Sequence, residues 1–312
     1  LDGGEVLLGS DLERISSDAL PTVTERVSVY ARLTPEQKDR VVRALKARGH
    51  VVGFLGDGIN DAPSLRVADV GISVATAADV AKEAAPIILL DKSLAVLHQG
   101  VLEGRRSFAN VIKYLMMGTS SNFGNMFSMA GAALLLPFLP MLPMQILLNN
   151  LLYDASQIAL PGDRVDAESV SHPRRWNIQF LRSFMVHLGP LSSVFDFLTF
   201  WLLLGVFHAA PALFRTSWFL ESLWTQTLVV FIIRTRFAPW TSRPSPGLIA
   251  SVGAICALAL LLPYTPLAPY LGFVALPPGL VLAILGLTLV YLGLAELVKR
   301  AFYRSLGTAI AR

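Results

Sequence analysis

The chain has 312 residues, 54% of them apolar, and its mean hydropathy of +0.56 excludes a single soluble domain. The formal net charge is +4 and the pI is about 9.3, but the basic residues cluster beside apolar blocks. That pattern fits lipid headgroups, so we expect membrane lipids and no nucleic acid among the partners. Cys256 is the one cysteine in the sequence, which excludes internal disulfides.

Charge and hydropathy divide the chain into three predicted parts. Residues 1–110 carry many charges, whereas residues 114–300 hold long apolar blocks. We expect residues 1–92 to belong to a cytoplasmic α/β domain, residues 93–113 to form a helical stalk, and residues 114–312 to form an all-α membrane domain with a short cytoplasmic tail. Because Leu1 is not a start methionine and the next residues read as the middle of a domain, we expect a piece of a longer protein.

The first part alternates predicted helices and strands. They are a helix over Asp11–Leu20, a strand over Ser28–Arg32, a helix from Pro35 to Arg48, a strand over Val51–Leu55, a helix over Asp61–Ala68, a strand over Asp69–Val74, a helix over Ala77–Ala84 and a strand over Pro86–Leu90. Thr34 is expected to cap the longest of these helices and Gly49 to end it. This alternation predicts a parallel, doubly wound sheet of the Rossmann-like kind.

The stretch GDGINDAP at residues 56–63 is the most distinctive of this part. Gly56 and Gly58 allow the backbone to turn sharply and to approach a ligand closely. Asp57 and Asp61 place two carboxylates at the carboxyl edge of the predicted sheet, where open α/β folds bind ligands. Two acids beside a glycine turn suit a Mg²⁺ ion held against a phosphate. The alternative is an ordinary Asp-Gly turn in which Asp61 caps the following helix.

Six membrane spans are predicted in the last part. They lie near Tyr114–Leu136, Met141–Leu160, Leu181–Phe207, Trp218–Ile233, Leu248–Leu262 and Gly279–Val298. Most approach the ~20 residues that cross a hydrocarbon core of ~30 Å. The absence of proline between Ser93 and Leu136 predicts one long helix from the stalk into the membrane. Lys and Arg concentrate in alternate loops, and an even number of spans then places both chain ends in the cytoplasm.

The second predicted span carries a dense group of polar residues, in the segment QILLNNLLYDASQ. Asn150, Asp154 and Gln157 recur at intervals of four and three residues and therefore share one helix face. Asn149 is expected to point elsewhere. A carboxylate flanked by amide oxygens is a cation site. An ionisable residue inside a membrane span is energetically costly, so it is expected to pair with another group or to serve a function.

The first predicted span contributes Asn122 and Asn125, which lie three residues apart on one face, with Gly124 allowing a neighbouring helix to come close. The alternative is that these amides only join helices by hydrogen bonds. Among the other intramembrane acids, Asp196 is expected to bond to nearby serines or to another helix. Glu296 is expected to pair with basic residues one turn away.

From about residue 28 to its end, the chain resembles the magnesium-transporting branch of the P-type ATPases, the bacterial Mg²⁺ importers. The resemblance rests on TPEQK, GDGINDAPSL, DVGISV, EGRRSFANVIKY, SSNFGN and LPFLPMLPMQILLNNLLYD. It implies the C-terminal part of a haloacid-dehalogenase-like phosphorylation domain, followed by the membrane domain of an ATP-driven cation pump of the cell membrane. The phosphorylated aspartate of the family's DKTGT motif, its TGE loop and its nucleotide domain do not occur in these residues, so the resemblance implies a missing N-terminal half.

The resemblance also implies roles for the singled-out residues. Asp57, with Asp61, would bind the catalytic Mg²⁺ during ATP hydrolysis, Asn60 and Asp61 would organise the loop, and Gly56 and Gly58 would shape it. Lys38, which by itself reads as a solvated surface lysine, would steady the phosphoryl group. The transported divalent cation would be held by Asn122, Asn125, Asn150 and Asp154.

Two alternatives stay open on the sequence. One is a pump for Ca²⁺ or another cation, although calcium pumps generally have an acid where this chain has Asn125. The other is a catalytically inactive membrane protein that binds a cation and regulates a partner. Fewer carboxylates suit one hydrated Mg²⁺, which dehydrates reluctantly and is held partly through its waters.

Overall fold

The computed structural model of the chain describes residues 5–310, with side chains described up to residue 305. The chain forms two compact units, and the boundary between them in the sequence falls between Val101 and Leu102. Each unit has its own buried apolar clusters. Ala81 and Leu65 lie at the centre of one cluster of the first unit, whereas aromatic side chains such as Phe214 and Trp218 fill the second unit.

The first unit is an α/β structure with parallel strands. Its strands are β1 (Glu5–Leu8), β2 (Val27–Ala31), β3 (Gly53–Leu55), β4 (Val70–Val74) and β5 (Ile87–Leu89). Its helices are α1 (Gly9–Leu12), α2 (Leu20–Thr24), α3 (Pro35–Ala47), α4 (Ala62–Val67) and α5 (Asp79–Ala84). The predicted parallel pairing is confirmed, but the strands form two sheets, one of β1 and β2 and one in the order β3-β4-β5.

The N-terminal residues differ from the prediction. Glu5–Leu8 form a strand where none was expected, and no single helix covers Asp11–Leu20, because α1 ends at Leu12 and α2 begins at Leu20. The intervening Ser16 explains the break, since its hydroxyl accepts a hydrogen bond from the backbone N–H of Ala19 at 3.4 Å. Serine and aspartate favour such local bonds, which compete with helix formation.

Helix α3 begins and ends as its sequence predicts. The hydroxyl of Thr34 accepts a bond from the backbone N–H of Gln37 at 3.2 Å, and the Gln37 side chain accepts one from the N–H of Thr34 at 2.9 Å. This reciprocal capping box satisfies two backbone donors that the first turn leaves without helical partners. Gly49 follows the helix with φ of +85°, a left-handed conformation that glycine adopts without steric cost.

The second unit is helical. Its helices are α6 (Leu94–Leu135, beginning in the first unit), α7 (Pro143–Ser156), α8 (Ala167–Ser171), α9 (Ile178–Trp201), α10 (Pro211–Leu228), α11 (Val230–Ile233), α12 (Pro246–Leu261) and α13 (Pro278–Ile310). Helix α6 has 42 residues. It confirms the prediction of one continuous helix from the stalk into the first predicted span.

Four helical segments of the described chain are long and apolar enough to cross a membrane, judged by length and composition: Ile178–Val206, Pro211–Ile233, Pro246–Tyr264 and Pro278–Ser305. They correspond to the last four predicted spans. Helix α7, in the second predicted span, has only 14 residues and is about 21 Å long, against a hydrocarbon core of ~30 Å. The second half of α6 contains polar residues, including Asn122 and Asn125, that lower its hydropathy. The count of six spans therefore stays a prediction.

Gly124 brings α6 into close contact with α9. A Cβ atom at this position would lie 2.8 Å from the backbone oxygen of Gly189 and 1.8 Å from the hydroxyl of Ser192. The hydroxyl of Ser193 also donates to the backbone oxygen of Gly124 at 3.0 Å. The predicted role of Gly124 in close helix approach is confirmed.

Substitution of Gly124 by alanine should destabilise the membrane unit. The new methyl group meets a backbone oxygen that cannot rotate away, so we expect the free energy of unfolding to fall by about 1–3 kcal/mol, the usual cost of overpacking. Thermal or denaturant unfolding of the detergent-solubilised protein measures the change. Gly118→Ala is the matched control, because Gly118 lies in the same helix with open space at its Cβ position. Equal stabilities of the two variants would show that this contact does not limit packing.

Candidate functional site

The GDGINDAP loop follows β3, at the carboxyl edge of its sheet. The backbone N–H of Gly56 donates to the oxygen of Ile72 at 3.0 Å, and its own oxygen accepts from the buried hydroxyl of Ser73 at 2.8 Å. A Cβ atom on Gly56 would lie 2.5 Å from the Cβ of Asp61. Glycine at position 56 is therefore required for Asp61 to lie against the turn, whereas Gly58 has more room.

Asp61 and Lys38 form one ion pair at this loop. The Lys38 Nζ donates to Oδ1 of Asp61 at 2.7 Å, and the backbone N–H of Gly58 donates to Oδ2 at 3.2 Å. One carboxylate oxygen of the buried Asp61 thus bonds to α3 and the other to the loop itself. Asp61 occupies the N-cap position of α4, as the alternative reading expected, but its side chain makes no capping bond to that helix. Lys38 is not simply solvated.

Asp57 is the exposed carboxylate of the loop, and Lys92 lies beside it. The Lys92 Nζ donates to Oδ2 of Asp57 at 2.9 Å. The hydrogen bond from Lys92, together with its positive charge, holds the pKa of Asp57 below its usual range. Lys92 was missed by the sequence reasoning, although its place directly after β5, at the same sheet edge, was an available signal. Asn60 is also exposed.

The donor set of this loop fits a magnesium ion. A cavity of about 340 Å³, lined in part by Gly56, Asp57 and Lys92, lies next to it. Mg²⁺ keeps several waters and takes only one or two carboxylates from a protein, with phosphate oxygens completing its shell. Asp57 has the exposure that such a ligand needs. Asp61 is already bonded at both oxygens, which suits a residue that positions Lys38.

The amides predicted for the cation site come together in the second unit. Asn122 and Asn125 of α6 and Asn150 of α7 line one cavity of about 610 Å³. Trp218 and Ser222 of α10 line it as well. In the part of the chain that the structure describes, no charged side chain contributes to this lining. The three predicted amides face this cavity.

Asn149 also lines this cavity, so the expectation that it points elsewhere is wrong. It is buried, and neither its Oδ1 nor its Nδ2 has a hydrogen-bond partner among the described residues. A buried polar group without a partner costs about 1–3 kcal/mol. The prediction failed because helical spacing gives only the relative directions of side chains on one helix. Helix α7 packs against both α10 and α12, and the faces of α7 that carry Asn149 and Asn150 both border the cavity.

Asp154 does not join the four amides. It is exposed and lines a second cavity of about 380 Å³, together with Gln157, Asn110 and Tyr114. Asn150 and Asp154 are one helical turn apart, so the two cavities open on the same face of α7. The structure thus separates the predicted carboxylate ligand from the amide ligands by one turn.

Two buried acids lie near the amide cavity, on α9 and α10. Asp196 accepts hydrogen bonds from the hydroxyl of Ser128 at 2.5 Å and from the indole N–H of Trp218 at 2.6 Å. Its expected bond to another helix is confirmed. Glu221 is buried beside Asp196, a proximity that spacing within one helix cannot reveal. Trp218 connects the two regions, because its ring faces the cavity while its N–H holds Asp196.

Comparison with known proteins explains this combination of an acidic loop and intramembrane amides. The family model described as cation transporting ATPase, C-terminus, matches residues 138–301. The chain belongs to the cation-transporting ATPases. The predicted resemblance to the magnesium branch is also confirmed: a magnesium-transporting P-type ATPase of Salmonella typhimurium (strain LT2) is 51% identical over 98% of the chain, and its counterpart in Escherichia coli K12 is 51% identical over the same share.

A calcium-transporting ATPase of Bacillus subtilis is more distant, with 32% identity over 91% of the chain. The chain spans about a third of the length of the relatives it matches, since it covers 35% of the two magnesium-transporting proteins and 33% of the calcium-transporting one. Within the family, this chain therefore corresponds to a C-terminal portion that includes membrane-spanning helices.

A buried ionic cluster fixes the helices that line the cavities of this ATPase chain. Asp163, in the segment after α7, accepts bonds from Lys113 Nζ at 3.1 Å, from Arg234 Nε at 2.8 Å and from the backbone N–H of Ser245 at 2.9 Å. Burial raises the pKa of Asp163, but the bonds from Arg234 and Ser245 and the charge of Lys113 outweigh it and hold the pKa below its usual range. Burial in turn lowers the pKa of Lys113.

Removal of the Asp163 carboxylate should be strongly destabilising. Asp163→Ala leaves the buried Arg234 and Lys113 without their counter-charge, so we expect the free energy of unfolding to fall by about 3–5 kcal/mol. Chemical unfolding of the purified protein measures this loss. Glu168→Ala is the control, because Glu168 pairs with Arg236 on the surface and should cost at most about 1 kcal/mol. Similar losses in both variants would contradict the assignment of Asp163 as the central contact.

The same carboxylate predicts a pH dependence. Its pKa is lower in the folded protein than in the unfolded chain, so its stabilising contribution is complete above the unfolded value, about 4, and is lost as the pH falls through the folded value. We expect the stability difference between wild type and Asp163→Asn to be constant near neutral pH and to shrink below about pH 4. A difference that stayed constant into strong acid would rule out this titration.

Proposed function

We propose that the chain is the C-terminal part of an ATP-driven pump that imports Mg²⁺ across the cytoplasmic membrane. The observation that carries the proposal is a cavity whose polar lining is mainly asparagine and, among the described residues, includes no charged side chain, in a chain 51% identical to magnesium-transporting ATPases. Neutral amides suit an ion that keeps its hydration shell. Carboxylate-rich sites, in contrast, suit Ca²⁺, which takes six to eight oxygen ligands directly.

The acidic loop would serve phosphoryl transfer in the full-length pump. Bound Mg²⁺ would neutralise charge on the transferred phosphate of ATP. Asp57 would bind that ion, because its carboxylate is exposed at the cavity beside β5. Asp61 would position Lys38, whose ammonium group would steady the phosphoryl oxygens. Asn60 would face the same space from the turn.

The phosphorylation domain itself would be completed by the rest of the protein. Strand β3 pairs only with β4 among the described residues, and the sheets of β1–β2 and β3–β5 are separate. We propose that the absent strand of a haloacid-dehalogenase-like domain, which carries the phosphorylated aspartate, pairs along the open edge of β3. The missing N-terminal half is thus a required partner of this chain.

In the membrane, α6 and α7 would supply the two spans that length and hydropathy do not establish, giving six with both ends in the cytoplasm. The short α7 would reach across with the segment that continues to Gly162. The Lys and Arg residues of alternate loops support this orientation. Other parts of the full-length protein would cover the exposed Asp154.

Helix α6 would couple the two activities. It begins at Leu94, two residues after Lys92, and contains Asn122 and Asn125 without a break. A change at the phosphate site would thus reach the cation cavity along a continuous helix. The cation would move along the face of α7, between the cavity at Asn150 and the one at Asp154.

A pump for Ca²⁺ is the second candidate, favoured by the 32% identity to a calcium-transporting ATPase. ATPase activity of the full-length protein distinguishes the two ions when Mg²⁺ is varied independently of Mg-ATP. Stimulation by Ca²⁺ alone would replace the magnesium assignment. A catalytically inactive regulator is the third candidate. An upstream reading frame without a DKTGT sequence would support it.

Asp57→Ala in the full-length pump should prevent formation of the phosphoenzyme, because the ligand for the catalytic ion is lost. Labelling with γ-phosphate-labelled ATP measures this. Asp79→Ala is the control, since Asp79 is an exposed acid of the same unit that pairs with Lys82. Normal labelling of Asp57→Ala would remove Asp57 from the catalytic site.

Asp154→Asn should abolish Mg²⁺-stimulated turnover while the membrane unit stays folded, because the amide keeps the shape of the side chain but not its charge. Uptake into vesicles and ATP hydrolysis measure the effect. Glu103→Gln, which removes an exposed acid of α6, controls for the change in surface charge. Transport by Asp154→Asn at the wild-type rate would exclude Asp154 from the cation path.

A further inference from the structure

Helix α3 carries one lysine near its start and another near its end, and both bond to the neighbouring helix α4 or its N-cap. Lys38 pairs with Asp61, the N-cap residue of α4, with 2.7 Å between Nζ and Oδ1. The Lys46 Nζ donates to the backbone oxygen of Val67, the last residue of α4, at 2.8 Å. Two lysines of α3 thus hold the two ends of α4.

Asp69 extends the Lys46 contact to the sheet. Its Oδ1 lies 3.0 Å from the Lys46 Nζ, and its Oδ2 accepts from the backbone N–H of Val52 at 2.9 Å. The bonds from Val52 and Lys46 hold the pKa of Asp69 below its usual range, so this carboxylate is charged at neutral pH. Val52 and Asp69 directly precede the parallel strands β3 and β4. The contact therefore lies at the amino edge of these strands, opposite the acidic loop.

The apolar side of α3 packs on other elements. Val41 and Ala44 join a buried cluster with Leu12 of α1 and Leu20 of α2. The sheet of β3, β4 and β5 has a cluster of its own, around Leu65. Apolar packing thus holds α3 to the part of the unit around β1 and β2, and the two lysines connect it to the part that carries the acidic loop.

A helix held at both ends has less freedom to tilt than one held at a single end. Lys38 and Lys46 are eight residues apart, about 12 Å along the helix axis. Loss of the contact at Lys46 leaves Lys38 paired with Asp61 but lets the axis of α3 move relative to β3. Because β3 leads into the acidic loop, this movement changes where the Lys38 ammonium group lies relative to Asp57.

We propose that Lys46, together with Asp69, is a positioning residue for phosphoryl transfer, which acts through Lys38 by fixing the direction of α3 from the end away from the acidic loop. This inference rests on the proposed function for the role of Lys38 at the phosphoryl group. Lys46 itself lies at the opposite edge of the sheet from the reacting groups. Its ammonium group neutralises a carboxylate and bonds to the last carbonyl of α4, as lysines near helix ends commonly do.

The test measures the rate of phosphoenzyme formation by the full-length pump in single turnovers with γ-phosphate-labelled ATP. A misplacement of ~1 Å in a catalytic site costs up to about a hundredfold in rate. Lys46→Met leaves the pair of Lys38 and Asp61 in place, so we expect a smaller loss of about tenfold, with the half-saturating ATP concentration unchanged. Lys46→Arg keeps the charge and the donors and should restore about half of the wild-type rate or more.

Arg43→Met is the matched control on the same helix. Arg43 pairs with Asp39 within α3 itself, with 2.8 Å between Nε and Oδ2. This pair and that of Lys46 are both partly exposed, and exposed ion pairs contribute little to stability. The unfolding temperatures of both variants should therefore stay near that of wild type, whereas the phosphorylation rate should fall for Lys46→Met alone.

Lys38→Met separates a positioning role from a structural one. If Lys46 acts through the ammonium group of Lys38, Lys46→Met changes the phosphorylation rate less than about twofold once that group is absent. A structural role predicts the same fold-loss with and without Lys38, and that result overturns the inference. A wild-type rate in Lys46→Met, with Lys38 present, overturns it as well.

The outcomes also separate this inference from the proposed function, because phosphoenzyme formation is measured whichever cation supports it. An effect of Lys46 that depends on Lys38, in a pump that Ca²⁺ activates and Mg²⁺ does not, supports the inference and overturns the proposed cargo. An unchanged rate in Lys46→Met, in a pump that Mg²⁺ activates, overturns the inference and leaves the proposed cargo intact. A full-length protein that forms no phosphoenzyme overturns both.

Discussion

The buried carboxylate of Asp163 is the contact on which the membrane unit depends. It holds Lys113 of α6, Arg234 after α11 and the start of α12 at one point. Asn110 adds to this by donating to the backbone oxygens of Pro161 and Asp163 at 2.8 and 3.1 Å. Helices α6 and α7 line both cavities, and this cluster joins the middle of α6 to the segment that follows α7. A buried ion pair of this kind specifies geometry even where its net stabilisation is small.

The charges of the membrane unit are kept apart from the amide cavity. The cluster at Asp163 lies at one end of α7, and the acids Asp196 and Glu221 lie behind the indole of Trp218. The cavity itself is lined by neutral groups. A neutral lining offers hydrogen-bond donors and acceptors without net charge, whereas a carboxylate in the wall would add a negative charge to the cavity.

Much of the first unit could be predicted because its signals are local. The Thr34 cap, the glycine that ends α3 and the strand before the acidic loop each depend on residues within a few positions. In the second unit, the close approach at Gly124 could be predicted from the absence of a side chain. The pairing of Lys38 with Asp61 was not predicted, since 23 residues separate them. The separation into two sheets was not predicted, because periodicity reports strands but not which strand lies beside another.

What the sequence could not provide was the environment of each helix face. Asn149 and Asn150 are adjacent in sequence and line the same cavity, because α7 packs against more than one neighbour. Helical spacing assigned them to different surroundings. Asp154 was placed with the amides for the same reason, although the cavity that it lines is another one. Lys92 contacts Asp57, and Asp196 lies beside Glu221, in each case between two different elements. A residue pattern within a single helix cannot reveal such contacts.

The contact between Lys92 and Asp57 has a further consequence for the long helix. A divalent ion and an ammonium group compete for the same carboxylate oxygen, and the ion has the larger charge. A divalent ion bound to that oxygen would therefore displace Lys92, which lies two residues before α6 begins. Release of that lysine would free the first turn of α6 from the loop, so that ion binding would remove a restraint on the helix instead of pushing it.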